Sequence, residues 1–133
     1  MNRWLLIIFL LAGMSAGAQA APPYTDSVRR LVESELAGTA PHARAEIEVG
    51  SIDPRLQLAP CARAEPFLRS TTRLWGRTFV GLRCMQGATW SVSIPVTVRL
   101  FGPALVAKRP LPPMQPIPAR DVGVEQIEWT REP

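Results

Sequence analysis

Two long runs of alternating residues, Trp75–Met85 and Trp90–Leu100, fix most of what this chain can become. In the first, Thr78, Val80, Leu82 and Cys84 point one way while Arg77, Phe79, Gly81 and Arg83 point the other. In the second, Trp90, Val92, Ile94, Val96, Val98 and Leu100 share a side against Ser91, Ser93, Pro95, Thr97 and Arg99. A period of two places such sets on opposite faces of an extended strand. Gln86-Gly87-Ala88 supplies a turn between the runs, so together they predict an antiparallel hairpin with one buried face. Pro95 complicates the second run. Proline cannot donate to a sheet ladder, which predicts an edge position or a bulge, with a bend and with the two halves serving different sheets.

One helix is available to cover the buried face. Asp26 stands where a cap is needed, Val28, Leu31, Val32 and Leu36 recur at helical spacing, and Gly38 and Pro41 stop the pattern. Arg44–Val49 then alternates, with Ala45, Ile47 and Val49 predicted inward, and ends at Gly50 and Asp53-Pro54. Leu56 and Leu58 alternate again before Pro60-Cys61, and Pro66–Thr72 reads as a connecting loop or short irregular segment. The predicted class is α+β, mainly β: a small N-terminal domain of one helix and antiparallel strands over residues 21–102. Past Gly102-Pro103 the composition shifts. Pro110, Pro112, Pro113, Pro116 and Pro118 read alone as an extended linker or a ligand for a proline-binding module. Val122, Val124 and Ile127 follow in a segment too short to bury a core by itself.

The N-terminus sets the compartment. Arg3, the apolar run Leu5–Leu11 and the small-residue stretch Ala16–Ala20, with an A-x-A site at Ala18 and Ala20, predict a secretory signal peptide over residues 1–20. The apolar core falls short of the ~20 residues that span a bilayer, so no stable membrane anchor is expected after cleavage. No cysteine directly follows the cleavage site, which leaves a lipid without an attachment point. The expected location is the periplasm. Cys61 and Cys84 are the two cysteines of the chain, and an even count in an exported protein predicts one disulfide. Cys84 lies on the buried side beside Leu82, where Cys61 meets it from the Leu56–Leu58 segment.

The chemistry-bearing residues are sparse. Two thiols and the single histidine, His42, do not make the four ligands of a metal site. His42 sits in the Thr39–His42 loop with no nearby group to orient it as a catalytic base. Glu46 and Glu48 share one face of a strand at ~7 Å, the separation of a glycosidase carboxylate pair, and exposed acids on a half-buried strand give the same pattern. Gly76, Gly81 and Gly87 lie within and between strands rather than ahead of a helix, so there is no phosphate loop. Trp75, Phe79 and Trp90 interleave with Arg73, Arg77 and Arg83 as on a single-strand nucleic-acid platform, although aromatic residues of a small β core explain them equally. Lys+Arg 15 against Asp+Glu 11 is a mild excess, well below the basic stripe that nucleic acid requires. The expectation is a binding or assembly protein, with no enzymatic activity, cofactor, metal or nucleic-acid partner.

Three stretches carry a family resemblance. They are Asp53-Pro54-Arg55-Leu56-Gln57-Leu58-Ala59-Pro60-Cys61, then Leu74-Trp75-Gly76-Arg77-Thr78-Phe79-Val80-Gly81-Leu82-Arg83-Cys84, then Trp90 with Ile94-Pro95-Val96 and Val106-Ala107-Lys108-Arg109-Pro110-Leu111. In that order they resemble the flagellar basal-body P-ring formation proteins over nearly all of the chain beyond residue 20. The resemblance implies a periplasmic chaperone that assists P-ring subunits to polymerise, with the P-ring subunit as its partner. It also implies that residues 103–133 begin a β-clip (SAF-like) domain, incomplete here, as if the chain were truncated at its C-terminus. Leu111, Ile117 and Asp121-Val122 fit that family's pattern, while Met114 stands at the place of a turn glycine and resists the positive φ that glycine permits. Two alternatives follow from the same residues. One is a glycan- or peptidoglycan-binding module stacking on Trp75, Phe79 or Trp90; the other is a pilus-assembly protein, since β-clip domains occur there too. Strand addition is the expected mode of partner contact, with no residue singled out for it.

Overall fold

In the computed structural model, residues 22–131 are described; the predicted signal peptide lies outside the described residues. Helix α1 (Thr25–Thr39) is followed by strands β1 (Arg44–Val49), β2 (Arg63–Phe67), β3 (Gly76–Gln86), β4 (Ser91–Ala107) and β5 (Val122–Glu128), with a 3₁₀ turn at Ala119–Asp121. The strands form one antiparallel sheet in the order β1-β4-β3-β2, with β5 also paired to β4. One helix on one face of an antiparallel sheet is the α+β, mainly β architecture that the alternating runs imply.

The apolar stripe of α1 does what its spacing predicts. Val28, Val32 and Leu36 are buried, and Leu31 packs beside them against Val80 and Leu82 of β3 and Ile94, Val96, Val98 and Leu100 of β4. Each such side chain contributes roughly 1.5–3 kcal/mol when fully buried. The cap differs from expectation. The helix begins at Thr25 with Tyr24 in the N-cap position, and Asp26 lies exposed in the first turn, where its charge favours the helix dipole without capping an amide. At the other end the Ala40 N–H donates to Leu36 O at 2.8 Å.

Three strand expectations are corrected. Leu56 and Leu58 lie in the irregular stretch 50–62, and Leu56 is exposed, because nothing packs over that stretch to reward alternation. The fourth strand of the main path is instead β2, which begins before the predicted loop and includes Pro66 and Phe67. As an edge strand it accommodates a proline that an interior strand would not. Ala45 is exposed because β1 is the opposite edge, where only Ile47 and Val49 reach the core.

The largest difference concerns Pro95. β4 is a single 17-residue strand within one sheet, without a separate sheet for each half. Its partners explain why. The Gly50 N–H donates to Pro95 O, so residue 95 and its odd-numbered neighbours face β1. Leu100 O accepts from the Trp129 N–H, and the Lys108 N–H donates to Asp121 O, so even residues face the other edge. That second edge is occupied end to end, by β3 over 91–98 and by β5 over 101–107. Pro95 and Pro103 both fall on the first edge, just outside the 96–101 stretch covered by β1. Their missing N–H groups therefore lie beyond the two ends of the β1 ladder and remove no bond from within it.

Candidate interaction surface

Cys61, immediately before β2, is bonded to Cys84 near the end of β3, with the Cα atoms 5.9 Å apart. The bridge holds the irregular stretch 50–62 against the sheet, helped by Trp90 Nε1 donating to Ala59 O at 2.8 Å and by the Ile52 N–H donating to Tyr24 Oη at 3.1 Å. Cys61 thus arrives from the end of that irregular stretch, two residues ahead of β2, rather than from a Leu56–Leu58 strand. Tyr24, Ile52, Leu58, Leu82 and Trp90 line a cleft of about 360 Å³ beneath this stretch, with no charged side chain among its walls. Trp90 packs on the core, which assigns it to the fold rather than to a stacking surface.

The face of the sheet opposite α1 is different. Phe79 is 62% exposed beside Pro95, its cross-strand neighbour, and Trp75 is 38% exposed at the approach to β3. Phe67 covers Gly81 so closely that a Cβ at 81 would overlap its ring, which is why that position has no side chain. The Arg83 guanidinium lies 5.3 Å from the Phe67 ring centroid and that of Arg73 lies 5.2 Å from Trp75, both within cation–π range. Arg69, Arg73, Arg77 and Arg83 are all exposed, and among the described residues none of them is within ion-pair distance of a carboxylate. Of the aromatic–arginine set read from the sequence, the fold therefore brings Trp75, Phe79, Arg73 and Arg77 together and removes Trp90. Phe67 and Arg69 are additions that alternation could not reveal, because one lies on a five-residue edge strand and the other in a connection.

A second open region lies on the β4–β5 hairpin. Leu105 and Val124 face each other across the strands and are 73% and 70% exposed. The odd-numbered edge of β4 is unpaired beyond Phe101. The β4–β5 connection is pinned at its base by Arg109, which donates from Nε and Nη2 to the two carboxylate oxygens of the buried Asp121, at 2.9 and 2.7 Å. Within that connection Met114 adopts φ +59, the left-handed conformation expected of a glycine there.

The candidate acids do not form a hydrolytic pair. A hydrogen bond from Arg44, with the charges of Arg44 and Arg99, holds the Glu46 carboxyl below its ordinary value. A general acid needs the opposite displacement. His42 is exposed in the turn before β1. Among the described residues no group of three or more His, Cys, Asp or Glu side chains is placed to hold a metal ion. No helix of the described residues is long and apolar enough to cross a membrane.

A family model described as the FlgA N-terminal domain matches residues 28–100, more than half of the chain. The matched span runs from the first buried residue of α1 to the β4 position that closes the core. Comparison with curated proteins and with solved structures gives no match.

Proposed function

The chain belongs to the family of the FlgA N-terminal domain, and from that premise we propose that it is a periplasmic chaperone for assembly of the flagellar P-ring. The single observation that carries the proposal is the family match across the whole helix-and-sheet core. A holding role is supported by the exposed Leu105–Val124 pair and by the unpaired length of β4, which together offer backbone donors and acceptors beside an apolar strip. The periplasmic setting is supported by the Cys61–Cys84 bridge, which persists in oxidising compartments, and by the signal-like residues 1–20. Residues 103–131 are read as the beginning of a β-clip, with the Arg109–Asp121 pair closing its proline-rich loop.

The P-ring subunit is the proposed partner, recruited by strand addition to β4. The test is capture of purified P-ring subunit by the purified protein, with motility of a deletion strain measured in parallel. Association, together with loss of motility that the wild-type gene restores, is the expected result. No association alongside normal motility overturns the reading. A Leu105→Lys, Val124→Lys double variant is expected to weaken capture by roughly tenfold, because it places two charges on an apolar contact.

A further inference from the structure

The two edges of β3 are not equally used. The Cys84 N–H donates to Trp90 O, a bond that continues the β3–β4 register, so even-numbered residues of β3 direct their main-chain groups to β4 and odd-numbered ones to the other side. On that other side β2 pairs only as far as Phe67 opposite Gly81; the chain then leaves through residues 68–75 and returns at Gly76. The N–H and C=O groups of Arg77 and Phe79 are left without a strand beside them, and among the described residues no turn or loop amide bonds to them. Two outer edges of the same sheet are closed by contrast. Arg29 Nη1 donates to Ile47 O of β1 at 2.7 Å, and Pro66, turned away from β3 by its place opposite Leu82, gives the rim of β2 no donor. Such devices keep strand edges from pairing, and the bare stretch of β3 has neither.

Side chains around this stretch define what would pair with it. A groove of about 360 Å³ runs beside it, and Arg69, Arg73, Arg77, Trp75 and Phe79 are among its walls, with no acid. Glu48 shares the adjoining hollow with Arg77 but is not within ion-pair distance of it. A second copy of this chain would bring a second set of arginines to the same edge, and like charges oppose that. A strand bearing carboxylates meets the guanidinium forks instead. We propose that residues 77–79 of β3 accept an acidic, extended segment of a partner protein as an added strand, in line with β2 and antiparallel to β3. Its side chains on the open face would place an apolar residue opposite Phe79 and, two positions later, a carboxylate opposite Arg77, with a further acid reaching Arg73. This edge is separate from the β4 border, and the inference does not depend on the subunit that border is proposed to hold.

NMR titration of the isotope-labelled protein with a capped heptapeptide, Thr-Val-Thr-Glu-Thr-Glu-Thr, tests this. Binding is expected, with exchange of the Arg77 and Phe79 amide protons slowed and that of Leu105 and Ala107 unchanged. Replacing both glutamates by glutamine, or N-methylating the valine and the first glutamate, is expected to weaken binding at least roughly tenfold, the first by removing charge and the second by removing the donors to β3. Arg77→Gln is expected to weaken it by a similar factor while leaving the thermal midpoint unchanged, since that side chain is exposed. The Leu105→Lys, Val124→Lys variant is expected to bind the peptide as the wild type does. No binding, equal binding of the glutamine or N-methylated peptide, protection at Leu105 and Ala107 in place of Arg77 and Phe79, or tighter binding of an oligothymidine than of the peptide overturns the proposal. Peptide binding by a protein that fails to capture P-ring subunit would remove the chaperone reading and leave this one standing.

Discussion

Met114 holds φ +59 with its side chain fully exposed, so its conformation is imposed by the loop and repaid by no packing of its own. The left-handed region costs a residue bearing a Cβ roughly 1–2 kcal/mol, and glycine loses roughly 0.5–1 kcal/mol in extra unfolded-state freedom. Met114→Gly is therefore expected to stabilise the protein by ~0.5–1 kcal/mol, measured by urea unfolding. Gly81 shows the reverse constraint. Gly81→Val drives a branched side chain into the Phe67 ring and is expected to cost ~1–3 kcal/mol, part of which Phe67→Ala should restore in a double-mutant cycle. Glu46 sets a pH dependence. Its carboxyl is depressed in the folded state by the hydrogen bond from Arg44, so its stabilisation is present above the ordinary value of 4.5 and fades as pH falls through the lowered one. The difference in melting temperature between wild type and Glu46→Gln should be present at neutral pH and vanish in strong acid; a difference that persists there would show that Arg44 is not its cause. Little of this was legible residue by residue. The demand for glycine at position 114 came only through resemblance, and the Arg99–Glu46 pair depends on strand register, which spacing along one strand does not reveal.

Elements were more readable where periodicity was long. The α1 stripe and the β3–β4 alternation each repeat often enough that a single face is the only arrangement that buries them. β2 carries no readable signal because five residues containing Pro66 hold too few repeats, and Leu56–Leu58 carries a false one because two leucines fit any extended stretch. The sequence at Pro95 predicts a bend between two sheets because a proline's cost depends on which edge it faces, and that depends on neighbours distant in sequence. Edge placement makes a sharp prediction. Pro95→Ala is expected to change stability by no more than ~0.5 kcal/mol, whereas Val96→Pro, one residue along and facing β3, should cost at least ~2 kcal/mol through a lost ladder bond. Denaturant titration of the two variants checks both. The aromatic–arginine face was largely legible: Trp75, Phe79, Arg73 and Arg77 interleave along the sequence, while Phe67 and Arg69 sit on a short edge strand and in a connection without pattern.

At the scale of the molecule, one helix and one sheet share a modest core, and the bridge from Cys61 to Cys84 secures the stretch that the core does not reach. Reduction, or Cys61→Ser with Cys84→Ser, is expected to lower unfolding stability by ~3 kcal/mol, by denaturant titration with and without reductant. The same change should loosen the wall of the cleft around Tyr24 and Trp90 and shift the tryptophan emission. The single long strand at the centre also carries a signature that solvent can read. Amide protons of Ala104 and Val106 are consumed by β5, while those of Leu105 and Ala107 point to an empty border. In deuterated water the label should enter at every second residue of this segment within the earliest times sampled, and a partner strand seated on that border would erase the alternation.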